Sequence, residues 1–241
     1  MPDDIRAGLV RVADAKHAAF NARLVPNINS QRILGVRMLE LRRIAHQLTK
    51  ANDAAIETFL VATPHRYLEE DLLHILLLNE MRDVDQFVAA LEAFLPFVDN
   101  WMVSDALSPR LPSDQLPALE SHIHCWLQSP DTYTARCGVI LLMDSFLDEL
   151  FRPEHLHWVA GVKSDDYYAH MVVGWYFATA LAKQPKTARA AFFSPDALGL
   201  RLAPEARRKA VQKSLESRRI SDHLKAELRQ LRANLKASGD Y

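Results

Sequence analysis

Glycine is scarce in this sequence, with 7 in 241 residues. A β-rich chain turns often and draws on glycine to do so, which disfavours an all-β fold. Cysteine is scarcer still. Cys125 and Cys137 are too few for a disulfide framework, and neither lies in a C-x-x-C motif. Long apolar runs are missing: the stretch 139–143 falls far short of the roughly 20 residues a membrane span requires, so no membrane partner is expected. Excess charge of one sign is missing too. The formal net charge is −1, so bulk charge does not announce a polyanionic partner. The G-x-x-x-x-G-K, G-x-G-x-x-G, G-x-S-x-G and H-E-x-x-H signatures do not occur. The start, Met1-Pro2-Asp3-Asp4, is acidic and lacks the basic-then-apolar order of a signal peptide, so a cytoplasmic location is expected.

What is present is the composition of a globular protein, 49% hydrophobic and 24% charged. The length suffices for a substantial core, and a single domain over 1–241 is expected. Ala, Leu, Arg and Glu are abundant, and all favour helix. Apolar spacing is helical almost throughout. Ile5, Leu9, Val12 and Phe20 suggest a first helix. A second spans 36–48, with Leu39, Leu41, Ile44, Ala45 and Leu48 turned inward, after the link formed by Pro26 and the polar residues to Ser30. Others follow near 53–62, 67–80 and 84–94, then a short segment at 97–107. The later helices are expected at 115–127, 132–147, 153–161, 166–183 and 222–236. Ser113 and Asp114, Asp131, Ser164 to Asp166, and Ser221 with Asp222 are their capping residues, and Pro153 opens the third of them. The fold class is therefore all-α. Helix pairs recur at roughly 35 to 45 residues, which suits an α-solenoid with a long concave face, although periodicity alone does not separate it from an irregular bundle.

Charge is unevenly placed. Residues 69–99 sum to −7 and residues 201–219 to +5, an asymmetry that can steer a polyanion or can be solvated helix faces. Trp101 and Asp105 are four apart, which on a helix places an indole and a carboxylate on one face. Such a pair attracts cations, although a core Trp beside a surface Asp has the same spacing. Arg136 stands in an apolar helix, where it can grip a phosphate, hold a carboxylate or snorkel. Gly174 beside Trp175 permits close approach of a backbone or a ligand, and Tyr167 and Tyr168 open the same helix. His122, His124 and Cys125, and His155 with His157, have the wrong spacing for one metal.

Four pieces of sequence carry a resemblance. Ile33-Leu34-Gly35-Val36-Arg37-Met38-Leu39-Glu40-Leu41-Arg42-Arg43 resembles the N-terminal signature of the DNA alkylation repair enzyme family. The block from Phe94 to Trp101 resembles its tryptophan–aspartate motif, Thr134-Ala135-Arg136 its arginine motif, and Gly174-Trp175-Tyr176-Phe177-Ala178-Thr179-Ala180 its later tryptophan motif. Order and spacing agree over residues 20–232.

The resemblance implies an α-solenoid of HEAT-like repeats with a basic concave face for duplex DNA, damaged or distorted. It implies a glycosylase that removes purines alkylated at a ring nitrogen, without metal or cofactor and without deep base flipping. Trp101, Asp105 and Trp175 would line the lesion site, and Arg136 would contact the backbone beside it. Such a purine is cationic and leaves readily, and the sugar left behind is oxocarbenium-like. Asp105 would stabilise that charge and orient water, while the two indole faces hold the sugar. Arg37, Arg42, Arg43, Lys163, Arg207, Arg208 and Lys213 would supply salt-sensitive phosphate contacts. A monomer in the cytoplasm, associated with the nucleoid, is expected. Met102 and Val103 depart from the family by being apolar. Two other functions stay open: a non-catalytic DNA-binding relative that recognises distorted or branched duplex, and a protein-interaction scaffold.

Overall fold

The computed structural model describes residues 2–238. These residues form fourteen α-helices and three short 3-10 turns, with no strand among them. The chain divides into two compact units, Met1–Glu120 and Ser121–Tyr241. The first contains α1 (Pro2–Arg11), α2 (Ala15–Leu24), α3 (Met38–Lys50), α4 (Ala55–Val61), α5 (Leu68–Asn79), α6 (Val84–Phe94) and α7 (Trp101–Ser104). The division falls within α8 (Leu116–Leu127). The second contains α9 (Thr132–Ser145), α10 (Glu154–Ala160), α11 (Tyr167–Lys183), α12 (Pro185–Phe193), α13 (Pro204–Glu216) and α14 (Asp222–Ser238). Among the described residues no helix is long and apolar enough to cross a membrane.

The N-terminal stretch departs from the single helix that Ile5, Leu9, Val12 and Phe20 suggest. Asp14 interrupts it: its carboxylate accepts the N–H groups of Lys16 at 2.9 Å and His17 at 3.1 Å, capping a new helix. Ile5 and Leu9 are buried, whereas Val12 and Phe20 are exposed. In α3, Leu41 and Ala45 are buried as expected, but Leu39 is 82% exposed. At 100° per residue Leu39 lies about 160° around the helix from Leu41, away from the inward stripe. Three of the other expected caps form, while Pro153 stands at the N-cap of α10 rather than at its first helical position. Asp131 accepts from Thr134, Asp166 from Tyr168 and Ser221 from Leu224.

α5 is the axis of the first unit. All twelve of its residues are buried, and it packs against α1, α3, α4, α6 and α7. Its opening acids are therefore interior groups, neither solvated nor free to steer a polyanion. Glu69 accepts the N–H groups of Leu34 at 2.9 Å and Gly35 at 2.7 Å, and burial pushes its carboxyl above the usual range against those bonds. Glu70 receives Arg6 at 2.9 Å and caps its own helix through Tyr67 N–H at 2.9 Å. Asp71 meets Arg32 at 3.1 Å. Gly35 has φ +81°, and a Cβ there would sit 2.1 Å from the Asp14 carbonyl oxygen, so only glycine allows the chain to cross the start of α2.

α11 holds the same position in the second unit. It packs most extensively on α13, then on α9, with α12 and α10 adding to its flanks. A Cβ on Gly174 would lie 2.5 Å from Lys209 Cβ and 2.8 Å from Ala210 N. The closely approaching partner that this glycine admits is thus the backbone of α13.

Candidate nucleic-acid interface

The tryptophan–aspartate pair of the first unit is built on a capped single turn. Asn100 is fully buried, and its side-chain oxygen accepts Val103 N–H at 3.2 Å, which starts α7. Asp105 closes the turn by donating its N–H to the Trp101 carbonyl at 2.9 Å. The i to i+4 relationship expected of a longer helix survives in this one turn. Trp101 and Asp105 are both half-buried. Trp101 Nε1 donates to the Leu24 carbonyl at 3.0 Å, so the indole is held by its edge. Ser104 Oγ lies 3.3 Å from Asp105 Oδ1, a weak contact.

The turn is tied to the segment before α3. Arg32 Nη1 donates to Asp99 Oδ2 at 3.0 Å while its Nη2 reaches Asp71, and Asn27 Nδ2 donates to the Asp99 carbonyl at 2.8 Å. Sequence reasoning treated this segment as a link and passed over Arg32. The signal was there: between Leu24 and Val36, Arg32 is the only charged residue. The acids at 69–71 run directly into the apolar stretch of α5, which marks the first turn as interior along with it.

In the second unit Trp175 is 38% exposed, and Lys213 Nζ stands 5.8 Å from its ring centroid. Tyr167 is 57% exposed, with Lys209 Nζ 4.8 Å from its centroid. Tyr168 lies between Tyr167 and Tyr133, with centroids at 5.4 and 6.1 Å. Arg136 is only 5% exposed, and its Nη1 donates to the Tyr168 carbonyl at 2.6 Å. Its clearest role is to tie α9 to the first turn of α11.

The remaining cations differ in their company. Arg37 is exposed and meets Asp14 at 3.3 Å. Arg42 and Arg43 follow each other on the exposed side of α3, with Arg43 held by Glu40 at 2.5 Å and Gln47 at 2.9 Å. Lys163 is exposed. α13 gathers Arg207, Arg208 and Lys213. Arg207 is half-buried and donates to the Phe192 carbonyl at 3.3 Å, and Arg208 pairs with Glu205. Exposed ion pairs of this kind are worth little, so a phosphate can compete with their carboxylates. A separate cleft of about 440 Å³ between α1, α3 and α4 sets Arg11 and Arg43 against Asp4, Glu40 and Asp53.

Two histidines that sequence reasoning did not single out lie inside the first unit. His65 Nε2 and His74 Nδ1 are 2.9 Å apart, with Phe59 stacked on His65 and Phe94 on His74. Burial holds both imidazoles neutral, pushing His65 down to about 4 and His74 to about 3.

A family model described as DNA alkylation repair enzyme matches residues 5–214 of the chain. No curated protein matches it.

Proposed function

Because the chain belongs to the DNA alkylation repair enzyme family, we propose that it is a DNA glycosylase that hydrolyses the N-glycosidic bond of cationic alkylpurines in duplex DNA. The observation that carries this reading is the Trp101–Asp105 turn. An indole fixed by its edge keeps its π face for a cation, and a carboxylate stands one helical turn on. The bond from the sugar C1′ to the purine breaks with its electron pair going to the base, which leaves neutral. Asp105 stabilises the oxocarbenium-like sugar and orients the water that adds to C1′. Trp101 and Trp175 supply faces that favour positive charge. Arg37, Arg42, Arg43, Lys163, Arg207, Arg208 and Lys213 contact phosphates, and Arg136 positions the helix that bears Trp175.

The packing order supports a fold of HEAT-like repeats. Alternate helices stack in each unit, α3 on α5 on α7 and α9 on α11 on α13, as layers of paired helices do. The test is to incubate the protein with randomly methylated DNA and assay the supernatant for free purine. Release is expected, and Asp105→Asn abolishes it while DNA binding persists. No release at high protein concentration, with DNA bound, overturns the glycosylase. The burial of Arg136 favours a second reading in that event: a non-catalytic relative whose salt-sensitive binding to distorted duplex ignores both alkylation and Asp105 substitution.

A further inference from the structure

α7 is a single turn of four residues, and a helix that short has too few bonds of its own to hold its direction. The setting of Trp101 and Asp105 therefore rests on the cap. That cap is the side chain of Asn100, fully buried, whose oxygen accepts Val103 N–H at 3.2 Å. The two ends of an asparagine amide are nearly equal in size but opposite in chemistry: one accepts and the other donates. Packing alone does not choose between them, and the neighbouring carboxylate does. Asp99 Oδ1 accepts from Asn100 Nδ2 at 2.9 Å, which turns the amide oxygen toward Val103. Asp99 Oδ2 accepts from Arg32 at 3.0 Å, and the Asp99 carbonyl accepts from Asn27 Nδ2 at 2.8 Å. In the sequence Asp99 counts only toward the acidic stretch 69–99.

We propose that Asp99 is a positioning residue for the proposed chemistry: held by Arg32, it fixes the Asn100 amide, and through that amide the orientation of Trp101 and Asp105. The inference rests on the glycosylase reading and deepens it. The reversed amide is disfavoured twice. Its NH2 would face Val103 N–H, a donor against a donor, and its oxygen would face a carboxylate, an acceptor against an acceptor. A neutral amide at position 99 removes the second conflict. Arg32 is a charged donor and takes the single oxygen of such an amide. The NH2 left over then faces Asn100, which meets it only by turning its own oxygen away from Val103. Trp101 and Asp105 both feel that change. Trp101 Nε1 reaches the Leu24 carbonyl from the first residue of the turn, and Asp105 N–H closes on the Trp101 carbonyl. The Arg32 and Asp99 side chains are 34% and 43% exposed, so their ion pair adds little to stability. What Asp99 supplies is orientation, and the effect of replacing it is expected at the site rather than in the melting of the fold.

The experiment follows the indole N–H signals of isotope-labelled tryptophan by NMR, with the Trp101 signal assigned by its loss in Trp101→Phe. Asp99→Asn is expected to shift and broaden that signal, while those of Trp126, Trp158 and Trp175 stay in place and the urea midpoint changes little. On methylated duplex with protein in excess, the single-turnover rate of purine release is expected to fall at least about tenfold, with duplex affinity by fluorescence anisotropy unchanged. Asn100→Ala removes the cap itself and gives the same signature. Asp99→Asn adds no further loss to it, because the two residues act in series. Asp99→Ala leaves the amide unguided and moves the Trp101 signal too, which keeps the test independent of how well Asn100→Ala folds. An unmoved Trp101 signal, losses that multiply in the double variant, or a drop in duplex affinity that matches the fall in rate overturns the role. Parent protein that releases purine while Asp99→Asn releases it equally fast removes the positioning role alone. Parent protein that releases no purine while Asp99→Asn displaces the Trp101 signal removes the glycosylase alone.

Discussion

Arg32 Nη2 donates to the carboxylate of Asp71 at 3.1 Å, and through that bond the loop before α3 is fastened to the buried axis of the first unit. Burial pushes the Asp71 carboxyl up to about 8, with Arg32 opposing and the neighbouring acids Asp99, Glu70 and Glu69 adding to the rise. A carboxyl raised in the folded state holds a proton that the unfolded chain has lost. Stability therefore falls as pH rises from about 4 to 8. Asp71→Asn keeps an acceptor for Arg32 and carries no charge, so it is expected to flatten that dependence in urea titrations run across the window. Arg32→Ala removes the donor and should destabilise by about 1–3 kcal/mol, loosening Trp101 as well.

The His65–His74 pair predicts the opposite trend on the acid side. Both imidazoles are depressed in the fold, so below pH 6.5 the unfolded chain binds protons that the native chain refuses. Stability is complete above that value and drains as pH falls toward 4 and then 3. His65 alone accounts for a loss on the order of 3 kcal/mol between pH 6.5 and 4. Replacing both residues with Phe should remove most of this acid sensitivity, read as the shift of the urea midpoint with pH.

Tyr176 is fully buried in α11, and its hydroxyl has no hydrogen-bond partner among the described residues. Tyr176→Phe removes an unsatisfied polar group and keeps the ring. A gain of about 1 kcal/mol in stability is expected, with Tm rising. A fall in Tm would mean that the hydroxyl is used.

Gly174→Ala forces a methyl group to within 2.5 Å of Lys209 Cβ. The helices must part, at a cost of about 1–3 kcal/mol. Because the same contact aligns the lysines with the rings, DNA affinity should fall with stability. Trp175 fluorescence should change as Lys213 moves away from the ring.

The sequence made the helices legible because their caps are local: Asp131, Asp166 and Ser221 act on N–H groups two or three residues away. The Trp101–Asp105 relationship was legible for the same reason, being one turn long. Interior charge was not. Counting Glu69, Glu70 and Asp71 as surface assumed that acids face water, but their partners are Leu34, Gly35, Arg6 and Arg32, 34 to 64 positions away. Leu39 misled because an apolar residue beside an apolar stripe looks inward until the helical angle is drawn. The pairing of Tyr167 with Lys209 was invisible because two helices must first dock.

A helix with no face toward solvent cannot fray sideways. The amides of α5 are therefore expected to exchange with deuterium only when the first unit opens as a whole. The seat of Trp101 hangs on that helix through Asp71, Arg32 and Asp99. Its position is therefore coupled to the opening of the unit that holds it.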